Sequence, residues 1–210
     1  MMFTEEELSE LKASVSRRIS QKRFLHTLGV LEAALYLADI SGIASKSEIA
    51  AAAILHDVTK EISYDEQLNL IRSFNLKADK EDLAVREVIH SLTAPIIIER
   101  DFPIFATEKV ISAVKNHTLG SPDMSLFDEI IFLADFIEPN RKYDACREVR
   151  EFVYKNTSGD SKEANVNLIH KASVMAIDST VNNLILNKKI ISAKTVLTRN
   201  VLLDKINNVF

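Results

Sequence analysis

The chain has 210 residues, 47% of them hydrophobic, with only four glycines and four prolines, so it suits one large or two small folded domains and is too apolar for a disordered polymer. Its formal charge of −4 provides no general basic field for nucleic acid, so a phosphate ligand has to be met by local cations or metal ions. The lone Cys146, the acidic start MMFTEEELSE and the shortness of apolar runs such as IAAAAIL exclude an internal disulfide and argue against a signal peptide or a membrane span, which places the protein in the cytoplasm with no membrane partner.

The dominant period along the chain is helical. Helices are predicted near 5–20, 22–40, 47–57, 64–74, 80–90, 93–101, 107–117, 125–137, 144–155, 161–188 and 193–207, an all-α pattern with no hairpin signal. Ser45 to Glu48 (SKSE) and Ser63 to Glu66 (SYDE) have capping-box spacing, and Asp160 to Glu163 (DSKE) is an acidic relative of it, each ahead of an apolar-periodic run. Gly42, Gly120, Gly159, Pro103, Pro122 and Pro139 fall at predicted boundaries. The stretch KNTSGDSKE at 155–163 is the best candidate for a domain break, with an ordinary helix–helix loop as its alternative. No internal repeat is evident.

The segment AAAILHDVTKE, 51–61, ends an apolar helix in His56, Asp57 and Lys60. Adjacent helical residues point about 100° apart, so the His-Asp pair is not an amphipathic register and implies a ligand at the helix end. The five histidines are individually unremarkable on helices with apolar neighbours. Their order is more specific: His26 in RFLHTLGV, His56-Asp57, His90 in REVIHSLTA, His117 in AVKNHTLGSP, then Asp135 in IIFLADFIEPNR.

That order resembles the HD superfamily of metal-dependent phosphohydrolases. The strings RFLHTLGV, AAILHDVTKE, HTLGSPDMSLFDEIIFLADFIEPNR and REVRE are similar to those of the YqeK-type family, bacterial enzymes that cleave diadenosine tetraphosphate symmetrically to two ADP. The resemblance spans about 17–150, with an echo in TVLTRN at 195–200; Ser121 departs from it, standing where the family pattern carries an arginine. It implies an HD-type helical bundle as a single domain over 1–210, with a core of about 17–150 and the C-terminal helices 161–207 packed on it.

The chemistry of a phosphoanhydride requires charge neutralisation and a hydroxide source near neutral pH, and metal ions supply both. An imidazole and carboxylate set suits iron, manganese or zinc better than magnesium, and the resemblance implies iron, as one ion or a pair. It further implies His26, His56, Asp57 and Asp135 as the main ligands, with Asp57 bridging and catalytic. His90 and His117 then serve a second ion or the substrate phosphate, and these two roles stay open.

Lys60, the second catalytic candidate, and Arg141, whose planar fork suits phosphate, are expected on the substrate; the structural alternatives are a solvated lysine and an ion pair from Arg141 to Glu138 or a later acidic residue. Thr118 is a hydroxyl donor or a loop cap. Thr195, Arg199 and Asn200 are candidates for closing over the base or ribose, with a solvated helix face as the alternative. His170 matches no ligand position, and Cys146 reads as packing. Two other functions remain open: an HD phosphohydrolase of nucleoside monophosphates or a guanosine tetraphosphate-type alarmone, and a metal-dependent nucleotide-binding protein without turnover. The oligomeric state, a homodimer included, is not decided by the sequence.

Overall fold

The structure is a computed structural model that describes residues 3–207 apart from 77, 79–82 and 84. Helices dominate, and there is no strand among the described residues. They are α1 (Glu5–Ser16), α2 (Gln21–Ser41), α3 (Lys46–Leu55), α4 (Tyr64–Ser73), α5 (Ile89–Asp101), α6 (Glu108–Asn116), α7 (Leu126–Ile137), α8 (Asp144–Asn156), α9 (Lys162–Leu186) and α10 (Ala193–Asn207), with a 3₁₀ turn at Pro103–Phe105 between α5 and α6.

Two buried helices organise the rest. Residues Glu48 to Leu55 of α3 are all buried, and its run of alanines lets α1, α2, α6 and α7 pack around it. α7 is buried from Phe127 to Ala134 and packs on α2, α6, α8 and α9. The resulting apolar cluster draws on residues from Phe3 to Leu202, so α9 and α10 pack onto the helices before them. The 21-residue α2 is apolar enough, at a mean hydropathy of 1.2, to cross a membrane by length and composition. Here it lies against α3, α7 and α9 and buries Val30, Ala33, Ala34 and Leu37.

Several local expectations are corrected. SYDE forms its capping box, with Ser63 accepting from the Glu66 N–H, but Ser45 makes no capping bond and its hydroxyl instead accepts from Lys109 at 3.0 Å. In DSKE the cap is Ser161, not Asp160. Thr4 with Glu7, and Ser125 with Asp128, form boxes that the sequence reading passed over. The predicted break between 90 and 93 is absent: α5 is continuous from Ile89 to Asp101, Pro95 included. Proline's fixed φ is compatible with a helix at the cost of one hydrogen bond, and burial of Ile96, Ile97 and Ile98 favours continuation. Of the predicted helix 80–90, residues 80–82 and 84 lie outside the described residues, 86–88 form a turn, and 89–90 already belong to α5. The 155–163 stretch is a helix–helix loop, pinned where Asn165 donates to the carbonyls of Ser158 and Ile40 at 2.9 Å each.

Gly120 ties the end of α6 to α10. It has φ +72, and a Cβ there would meet Thr198 Cγ2 at 2.7 Å, while Thr195 donates to the neighbouring Leu119 carbonyl at 3.0 Å. Left-handed backbone costs a non-glycine residue about 1–2 kcal/mol. Gly120→Ala is therefore expected to lower Tm by about 2–8 °C for a chain of this size, measured by circular dichroism melting, with loosening of α10 as increased amide exchange.

Candidate metal centre

The ends of α3 and α6 each place a histidine as the helix cap, His56 and His117. A helix C-terminus leaves carbonyls without partners, and each imidazole uses one. His56 Nδ1–H donates to the Ala53 carbonyl at 2.7 Å and His117 Nδ1–H to that of Val114 at 2.6 Å. This sets the tautomer and leaves each Nε2 lone pair facing inward. His26, in the second turn of α2, is held by Glu138 Oε1 at 3.2 Å from Nδ1. His90, the second residue of α5, and Asp135, in the last turn of α7, close the ring.

Asp57 lies between two groups. Its Oδ2 is 3.5 Å from His26 Nε2 and 3.4 Å from His56 Nε2; its Oδ1 is 3.1 Å from His90 Nε2 and 3.8 Å from His117 Nε2. Asp135 Oδ1 is 3.0 Å from His26 Nε2. Two sets of donors each lie within 4.8 Å of one another, His26, His56 and Asp135, and Asp57, His90 and His117. The Nε2 atoms of His26 and His56 are 3.3 Å apart, and those of His90 and His117 are 3.0 Å apart. Imidazole nitrogens converging with carboxylates in this way form the mixed nitrogen and oxygen set that suits a divalent transition metal, so the residues fit such an ion.

The electrostatics agree. Burial by itself would raise the Asp57 carboxyl, but the surrounding imidazoles of His56, His117 and His26 hold it well below the usual range. Asp135 is likewise driven up by burial and brought well below its ordinary value by Arg141 and His26. His26 is pushed up to about 10, burial opposing and Asp135, Asp57 and Glu138 prevailing, whereas burial and the neighbouring His117 lower His90 to about 4 despite Asp57. The carboxylates stay anionic and His90 keeps a free lone pair.

A cleft of about 540 Å³ opens beside this centre, with Lys60, His117, Thr118, Asp135 and Arg141 on its polar side and Phe132, Phe136, Ile177, Leu184 and Ile190 among its apolar walls. Lys60 Nζ is 3.1 Å from His90 Nδ1 and donates to the Glu87 carbonyl at 2.9 Å. α3 ends at Leu55, so turns, and not a further helical turn, bring Lys60 here. Thr118 Oγ1 is 3.1 Å from His117 Nε2. Thr195 lines the cleft. Arg199 and Asn200 do not: Arg199 pairs with Asp178, 3.2 Å from Nη2 to Oδ2, and Asn200 is exposed. Arg141 pairs with Asp135 at 2.6 Å, not with Glu138. His170 is held by Glu129 at 2.8 Å, apart from both donor sets.

Sequence reasoning missed Glu138, Gly29, Arg150 and Arg23. Arg150 donates to the carbonyls of Glu138 at 2.5 Å and Arg141 at 3.0 Å, which fastens the EPNR turn after α7; its signal was the REVRE string. Arg23 lies 2.8 Å from Asp57 Oδ2. Gly29 follows His26 by three residues, and a Cβ there would collide with Glu138 Oε2. Its signal was HTLG. Residues that orient a ligating histidine affect metal affinity by about 10–100-fold. Gly29→Ala and Glu138→Gln are each expected to weaken metal retention by that factor, measured as metal content after dialysis against a graded chelator.

Comparison with known proteins agrees with this geometry. The model of the HD domain matches residues 23–140. The chain is 33% identical over 183 residues to a symmetrical bis(5'-nucleosyl)-tetraphosphatase of Halalkalibacterium halodurans, covering 83% of this chain and 95% of that protein. It is 34% identical to a protein of the same name in Bacillus subtilis, over 68% of this chain and 75% of the other. A solved structure from Clostridium acetobutylicum, described as a predicted HD superfamily hydrolase involved in NAD metabolism, superposes with a TM-score of 0.79 at 25% identity, over 98% of this chain and 100% of that one. With the His-Asp pair inside the matched region and His26, His90, His117 and Asp135 gathered around it, the chain belongs to the HD domain family, alongside the symmetrical bis(5'-nucleosyl)-tetraphosphatases.

Proposed function

We propose that this protein hydrolyses diadenosine tetraphosphate symmetrically to two ADP, using a divalent metal, most suitably iron, held by His26, His56, Asp57 and Asp135, with His90 and His117 serving a second ion or the substrate phosphate. The observation that carries the reading is the junction of the paired donor sets with the cleft: anion-binding groups and apolar walls meet at Asp135 and His117. Relatives bearing the tetraphosphatase name support the substrate. A divalent cation in this donor set supplies charge neutralisation to phosphate oxygens and Lewis acidity toward water.

The chain's own residues do the remaining work. The apolar walls around Phe132, Phe136 and Ile177 take the adenine and exclude water. Lys60 and Arg141 meet the phosphates at the polar end, where their charges oppose the negative charge that grows on the departing ADP. Burial lowers the Lys60 ammonium below its ordinary value, with Asp57 and Asp135 opposing the shift and Arg23 and Arg141 adding to it. Thr118, beside both His90 and His117, donates to a phosphate oxygen. A site that fixes one nucleoside in the cleft measures a set number of phosphates to the metal donors, which is the geometric basis for symmetrical cleavage.

Asp57 touches both donor sets, whereas His170 touches neither. Asp57→Ala is expected to abolish tight metal binding and hydrolysis together, and His170→Ala to leave both within about a few fold, read from metal content and initial rates after anaerobic purification. An active, metal-replete Asp57→Ala protein would remove the central assignment.

The bond cleaved is tested by early-time chromatography. ADP is expected as the adenine product, with labelled water oxygen in one of the two ADP molecules formed. Equal ATP and AMP would reject symmetrical cleavage, and preferential turnover of a nucleoside monophosphate or a guanosine tetraphosphate would favour the other phosphohydrolase reading. Tight nucleotide binding by the metal-replete protein without turnover would favour a binding protein.

A further inference from the structure

Arg23 precedes His26 by three residues on α2, so both project from one side of the helix. Its Nη1 lies 2.8 Å from Asp57 Oδ2, the oxygen that also faces His26 and His56 at 3.5 and 3.4 Å. Arg23 is absent from the walls of the cleft, where Lys60, His117 and Arg141 stand, and its side chain keeps 29% of its exposure. The guanidinium thus reaches the centre from outside the cleft.

A guanidinium does not lose its proton in proteins. A metal cation held beside His26, His56 and Asp57 would put a second positive charge next to Arg23, and like charges repel. The long arginine stem allows its planar fork to turn outward and receive a phosphate. Glu61, which also feels the charge of Arg23, is already occupied by the Ser20 N–H and hydroxyl at 2.6 Å each. The first turn of α2 has no acidic residue and carries Lys22 and Arg23, against the usual preference of a helix N-terminus for acids. An anion docked there would offset that arrangement.

We propose that Arg23 binds the phosphates of the second nucleoside diphosphate half, the one lying outside the cleft. The proposal rests on the tetraphosphatase reading: a substrate with two like ends needs a hold on each side of the reacting bond, and a cleft of about 540 Å³ is in the range of a pocket for one drug-sized molecule. Lys60 and Arg141 hold the half in the cleft, and Arg23 holds its counterpart across Asp57.

The test is calorimetric binding to protein loaded anaerobically with iron(II), using ADP and an analogue of diadenosine tetraphosphate in which methylene replaces the central bridging oxygen. Arg23→Ala is expected to weaken the analogue by about 10–100-fold, the equivalent of one charge-assisted hydrogen bond, and to leave ADP within about twofold. Iron content should match wild type, and Arg23→Lys should recover part of the loss. Unchanged analogue affinity, equal weakening of ADP and analogue, or loss of iron from both variants would overturn the proposal, the last by making Arg23 a support for Asp57. Wild-type protein that binds ADP but not the analogue would overturn the tetraphosphatase reading itself, and the second subsite with it.

Discussion

Asp57 imposes the constraint on which the centre depends. A carboxylate that is 3% exposed is strongly disfavoured as an ion unless cations and donors surround it. Here its two oxygens are shared out, Oδ2 toward His26, His56 and Arg23, and Oδ1 toward His90 and His117. Five side chains from several helices answer one buried charge. The same demand explains Arg141 at Asp135, since a second carboxylate in the same centre adds repulsion that a fixed cation offsets.

Meeting that demand requires helix ends more than helix faces. His56 and His117 sit where carbonyls lack partners, and each is oriented by the carbonyl three residues back. Asp135 occupies the last turn of α7, and the turn that follows returns Glu138 to His26. Arg150 from α8 fixes this turn through backbone carbonyls, and Gly29 leaves the space into which Glu138 fits. These candidate ligands are therefore backed by groups that restrict their motion, which is what a preorganised ion site needs.

The C-terminal helices supply a different element, an enclosed side to the centre. Ile177 and Leu184 of α9 and Thr195 of α10 face residues that follow the ligand helices. Thr195 is bonded to the Leu119 carbonyl, and Lys189 pairs at 3.0 Å with Glu87, whose own carbonyl receives Lys60. One flank of the centre is thus apolar and walled, while Arg23 on the other flank stays partly open.

The order of histidines and aspartates, the helical period and most helix boundaries were legible in the sequence, because they depend on residue type and on neighbours within a few positions. The all-α class and the family followed from them. Ser45 turned to a partner that local spacing does not reveal, Lys109, and Pro95 was tolerated in a helix that buries Ile96, Ile97 and Ile98 just after it. Arg199 and Asn200 echo a motif, yet the rotation of α10 directs Thr195 to the cleft and gives Arg199 to Asp178. Glu138 and Arg23 read in sequence as ordinary charged residues. Only packing of α2, α3 and α7, with His26 30 positions from His56 and 112 from Glu138, decided which charges meet. Sequence determines what each helix end can donate; tertiary structure determines where those ends converge, since burial of the shared apolar core sets the helix positions.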